Sequence, residues 1–145
     1  MPDDLKRLAE NMPGVTVTGP VPDVRPYVWR SSLALNYLES GGGIAVKVLE
    51  AMAMRKPVLS NSLGCEGIEV EHGRHVYLAD SAEGLAEAAA YLLGDAAARS
   101  SLAENGYKRA CEHYSWSVIA NRFQDCYGAV VEEHARSKMA MTSVV

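Results

Sequence analysis

The stretch from Leu33 to Asn61 constrains the fold more than any other part of the chain. A short apolar run, LALNYL (Leu33–Leu38), is followed by a turn containing Gly41, Gly42 and Gly43. An apolar segment of helical length runs from there to about Met54, and a second short run, KPVLSN (Lys56–Asn61), closes the unit. Both short runs have the length of buried strands, and Pro57 stands at the start of the second, where proline is tolerated. Strands joined through a helix lie parallel, and a parallel sheet is covered by helices on both faces. The expected class is therefore α/β.

The flanking sequence extends this pattern. VTVTG (Val15–Gly19) reads as a first strand and HVYLAD (His75–Asp80) as a last one, giving about four. Asp3 or Asp4 can cap a short helix over Leu5–Asn11, and another is expected around Val24–Arg30. Leu63–Gly73 reads as a loop with one helical turn. Beyond Asp80 the chain is helical. Ser81 caps a helix to about Leu93, and Gly94 then Asp95 stop it and start another to about His113. Ser115 caps a third helix to about Arg136, with Ile119, Phe123, Cys126, Tyr127 and Val130 on one face. The expected organisation is one domain over residues 1–136 and a frayed tail over 137–145.

Composition excludes several functions. With 48% apolar residues a sizeable core can form. A net charge of −4, without a basic stripe interleaved with aromatics, argues against a nucleic-acid partner. Cys65, Cys111 and Cys126 fit no CxxC or Cys/His pattern and read as reduced, mostly buried thiols of a cytoplasmic protein. His72 and His75 lack a third ligand, so no metal is expected. The polar N-terminus is no signal peptide, and no apolar run approaches the roughly 20 residues of a membrane span. A peripheral membrane contact stays open. Trp29 and Trp116 are expected to pack.

The glycine turn carries the chemistry. Glycine lets backbone approach a ligand closely, and a helix N-terminus offers free N–H groups with partial positive charge, a combination that favours phosphate. Gly43, Lys47 and Glu50 are spaced four and three apart, on one stripe of the helix. Lys47 sits where the helix dipole disfavours a cation, unless an anionic ligand is bound. Glu50, one turn on, can accept two hydrogen bonds from vicinal hydroxyls such as those of a ribose. The competing reading is a solvated Lys–Glu pair beside a plain turn.

GIAVKVLEAMAMRKPVLS, EGIEVEHGRHVYLAD and LLGDAAARSSLAENGYKRACEHYSW together resemble the C-terminal domain of the group 1 (family 4) glycosyltransferases, retaining enzymes of the GT-B fold. VTGPVPDVRPYVWRSSLAL is similar to the bacterial sugar transferases of exopolysaccharide gene clusters. The resemblance implies a partial Rossmann-like sheet, half of a GT-B fold. It implies transfer of a hexose-type sugar from a nucleotide-sugar donor, a substrate rather than a cofactor, to a glycan or lipid-linked acceptor. Glu50 would hold the ribose, the backbone of Gly43, Ile44 and Ala45 the diphosphate, and the Gly19–Val21 loop would lie near the base.

Two departures stand out. The family places a glutamate eight positions before Glu50, and Gly42 stands there. No catalytic residue is assigned; Glu39, three residues earlier, is the nearby acid that a glycine loop could bring to the donor sugar. The acceptor domain and two strands that would separate Val15–Thr18 from Leu33–Leu38 are not in these 145 residues, so the chain reads as truncated. The first strand is then expected to pair with Leu33–Leu38 or to form a poor edge. The alternative function is a non-catalytic remnant that binds nucleotide weakly or serves as an interaction domain, with the last helix a candidate for self-association.

Overall fold

The computed structural model describes residues 7, 9, 11–41 and 43–142, with side chains through His134 and at Arg136. They fall into two compact units, Met1–Arg30 and Ser31–Val145.

The first unit contains helix α1 (Arg25–Arg30). Asp23 caps it, accepting from the Arg25 N–H at 2.9 Å and pairing with the Arg25 guanidinium. That hydrogen-bonded cation holds the Asp23 carboxyl below its ordinary range. No strand forms at Val15–Gly19, and Val15 and Val17 are exposed. β-branched residues favour extended backbone only where a neighbouring strand completes the ladder, and none of the described residues pairs with them. The helix expected over Leu5–Asn11 falls largely outside the described residues, as does Gly42 entirely.

The second unit follows the expected alternation. Strand β1 (Ala34–Asn36) leads to helix α2 (Val46–Ala53), strand β2 (Val58–Ser60), a 3-10 turn (Leu63–Cys65) and strand β3 (Tyr77–Leu78). Helices α3 (Ala82–Gly94), α4 (Ala96–Tyr114) and α5 (Trp116–Thr142) complete it. The sheet order is β1-β2-β3, all parallel, with Asn36 opposite Ser60 and Ser60 opposite Leu78. Three strands are therefore present among the described residues, where about four were expected.

Alternation along the central strand builds the two-faced core. Val58 packs with Val48, Ala51 and Met52 of α2, Val76 and Ala110. Leu59, one residue on, packs with Leu85, Ala88 and Leu92 of α3 and Leu102 of α4. Ser81 and Asp95 cap α3 and α4 as expected, accepting from Gly84 N at 3.0 Å and Ala98 N at 2.9 Å. Helix α2 stops in a Schellman turn, in which Lys56 N donates to Ala51 O and Arg55 N to Met52 O. Arg55 holds its left-handed position, at φ 54°.

Helix α5 runs to Thr142, through most of the stretch expected to fray. Phe123, Tyr127, Val130 and Val131 are exposed, so the apolar stripe expected along this helix is largely uncovered among the described residues. Cys126 lies there and is exposed, as is Cys111 on α4; of the three thiols only Cys65 is buried, which corrects the expectation of mostly buried cysteines. Helix periodicity marks an apolar stripe but not whether anything lies against it. Trp29 and Trp116, expected to pack, are largely exposed. Among the described residues no helix is long and apolar enough to cross a membrane.

Candidate functional site

Strands β1 and β2 end together at the Asn36–Ser60 pair, and the loops that leave them diverge. This carboxyl edge is where open parallel sheets bind ligands. A buried polar network fills the gap under the loops. Asn36 Nδ2 donates to Gly64 O at 2.9 Å, and Ser60 Oγ donates to Asn36 O at 2.7 Å. Asn61 Nδ2 donates to Leu38 O at 2.7 Å, while its Oδ1 accepts from Leu38 N at 3.1 Å and Gly64 N at 3.0 Å. Among the described residues no buried side-chain polar atom is left without a partner. At the outer rim, Asp80 accepts from the N–H and hydroxyl of Ser62, and these bonds hold its carboxyl below the ordinary range. Burial pushes the Cys65 thiol up, against a hydrogen bond with Ser60, and makes it a poor nucleophile.

The glycine turn delivers α2 to this edge. Gly43 sits at φ +99°, a conformation that favours glycine. Val46 N closes a tight turn onto Ile44 O at 2.8 Å. Ala45, the N-cap position, supplies no side-chain cap, and no acidic residue occupies the first turn. Among the described residues nothing accepts from the N–H groups of Gly43, Ile44, Ala45 or Lys47. The N-terminus is thus open to an anion.

Although its sequence is apolar nearly throughout, helix α2 is buried on one side only. Val48, Ala51 and Met52 are buried, but Ile44, Val46, Lys47 and Glu50 are exposed. Lys47 and Glu50 form no ion pair with each other, and neither side chain takes a partner among the described residues. Both side chains are solvent-exposed. Glu50 lines a groove of about 520 Å³ with Val46, Leu49 and Ala53 of α2 and with Tyr114, Ser115 and Trp116 at the α4–α5 junction.

The remaining expected residues are dispersed. Glu39 is exposed in a bend just beyond Leu38. Val21 is half-buried in the Met1–Arg30 unit, and Gly42 lies outside the described residues. His72 and His75 have engaged ring nitrogens: Nδ1 of His72 accepts from Leu78 N, and Nδ1 of His75 from Glu71 N.

Several residues that build the site gave no strong signal. Gly67, at φ +80°, brings the β2 exit loop onto α2: a Cβ there would lie 3.4 Å from Ile44 Cγ1 and 3.7 Å from Ile44 N. Glu66 is exposed beside it. The loop is fastened on its far side, where Tyr114 Oη accepts from Glu69 N at 2.7 Å and Arg109 pairs with Glu69. Asn36, Asn61, Gly64 and Gly67 complete the set. The available hint was polar Asn36 and Asn61 at the ends of otherwise apolar strand segments.

The sequence profile of the family described as Glycosyl transferases group 1 matches residues 1–95. Among solved structures, the chain is similar to the C-terminal domain of a glycosyl transferase group 1 family protein (LpcC) from Francisella tularensis, with a TM-score of 0.63 and 19% sequence identity. That match covers 70% of this chain and 53% of the other, so the chain spans about half the length of the solved relative. The likeness is one of fold, a GT-B C-terminal domain. No curated protein matches the sequence.

Proposed function

This chain belongs to the group 1 glycosyltransferases, and on that premise we propose that it is the donor-binding half of a retaining enzyme. The reaction is transfer of a hexose-type sugar from a nucleotide-sugar to a glycan or lipid-linked acceptor. The observation that carries the reading is the open, uncapped N-terminus of α2 at the carboxyl edge of the sheet, with Lys47 and Glu50 unpaired along one stripe. The diphosphate meets the N–H groups of Gly43, Ile44 and Ala45, and Lys47 adds a cation beside it. Glu50, in the second turn of the helix, accepts from the ribose hydroxyls. Catalysis then comes from positioning the donor and neutralising the leaving diphosphate, with the acceptor held by a further domain. The reading carries a cytoplasmic setting and a role in exopolysaccharide assembly.

Calorimetric titration with UDP-, GDP- and ADP-linked hexoses tests this. Saturable binding by one of them is expected, weakened by about tenfold or more in Glu50→Ala, the order for losing hydrogen bonds to a charged group. No binding by any donor would sink the proposal. A second reading, a remnant without turnover, draws on Gly42, which has no carboxylate to offer the donor sugar. It predicts binding but no sugar transfer by the purified chain, and measured transfer would remove it.

A further inference from the structure

We infer that Asn61 is the positioning residue of the donor cleft, one side chain that sets the spacing of its two rims; this rests on the donor-binding reading above. Backbone pairing between β1 and β2 ends at Asn36 and Ser60. One residue later the Asn61 amide takes over, giving an N–H to Leu38 O and an acceptor to Leu38 N, so that one side chain closes both backbone groups of Leu38. The same Oδ1 accepts from Gly64 N. The first rim, Leu38 to Gly41, carries Glu39 and precedes the phosphate turn. The second, Ser62 to Gly67, carries Glu66 and ends against Ile44. Asn61 is 6% exposed, so bulk water does not compete for these bonds. Both rims pivot on it without its touching the donor.

The test uses the full chain as wild type, Asn61→Ala, Asn61→Ser and Asn61→Asp, with amide exchange followed by NMR and the three nucleotide sugars titrated by calorimetry. In wild type the Leu38 and Gly64 amides exchange slowly. In Asn61→Ala both speed up by about tenfold or more while Leu59 in β2 stays slow, and donor affinity falls by about tenfold. Asn61→Asp has the same size and keeps the acceptor of both amides but, ionised, sets a carboxylate oxygen against Leu38 O where Asn61 gave an N–H. Both amides stay slow in it while donor affinity falls, and Asn61→Ser, which shortens the side chain without removing its polar atom, carries the exchange test if Asn61→Ala does not fold. Wild-type exchange at Leu38 and Gly64 in the shortened variant overturns the inference. So does wild-type affinity in a variant whose parent binds. A parent that binds none of the sugars overturns the donor reading instead, and the exchange data then report whether the rims were joined at all.

Discussion

Gly64→Ala adds a single methyl group to the floor of the cleft, and the structure gives its cost. A Cβ at Gly64 falls 2.5 Å from Ser60 Oγ, 2.7 Å from Asn36 Nδ2 and 2.8 Å from Asn61 Oδ1. None of these three side chains is more than 7% exposed. Each is tied by hydrogen bonds, so none can swing into solvent. Overpacking costs about 1–3 kcal/mol, and breaking one of the buried bonds costs about 1–3 kcal/mol more. The entropy that alanine removes from the unfolded chain returns about 0.4–1 kcal/mol. A net loss of about 3 kcal/mol is expected. At about 2–4 °C per kcal/mol for a chain of this size, Tm falls by roughly 6–12 °C. Urea titration and a thermal melt read both quantities. A variant melting within about 2 °C of wild type would refute the reasoning, because it would mean that Asn36, Ser60 and Asn61 do not converge on Gly64.

Three further outcomes follow from the packing and the charges. Gly106→Ala would gain about 1 kcal/mol of helix propensity, but its Cβ lies 2.9 Å from the His75 backbone oxygen, so a net loss of about 1 kcal/mol is expected on urea titration. Gly128→Ala, with nothing within 4 Å, should instead raise helical circular dichroism, and equal stabilisation by both would contradict the placement of α4. His75 is buried and burial lowers its pKa, with Arg74, Arg109 and His113 adding to the shift and Glu71 opposing it. The unfolded chain therefore binds the proton more readily, and stability falls as pH drops through the ordinary histidine range near 6.5. His75→Gln should flatten that limb of a Tm–pH profile, and an unchanged profile would exclude His75 as its source. Arg55→Gly relieves the left-handed backbone yet loses the ring contact with Tyr107 and the Glu104 ion pair, so it should be near neutral. Arg55→Ala loses both contacts and keeps the strain; it should be about 1 kcal/mol less stable than the glycine variant, and equal melts would argue against strain at this position.

The unit of strand, glycine turn, helix and strand was legible because each piece has a local cause. Three strands, the order of the helices, and the caps at Ser81 and Asp95 all follow from periodicity and short-range hydrogen bonding. The strand expected at Val15–Gly19 was not legible in the same way. Its propensity is local, whereas a ladder needs a partner that no nearby sequence supplies. The exposure of Cys111, Cys126, Trp29 and Trp116 was missed for a related reason: an apolar residue type states a preference for burial and says nothing about whether a surface comes to cover it.

In the candidate site, the sequence by itself placed Lys47 and Glu50 on one stripe of a helix that follows a glycine turn, because helical periodicity and glycine stereochemistry act within a few residues; the expected stripe also took in Gly43, but the helix starts at Val46 and Gly43 stays in the turn. Tertiary structure alone decided that the N-terminus of that helix is open, that Lys47 and Glu50 stand unpaired, and that Asn61 reaches back to Leu38 across 23 positions. Those facts depend on which loops meet at the carboxyl edge of the sheet. A buried amide finds its partners only once the strands on either side of it have been brought into register.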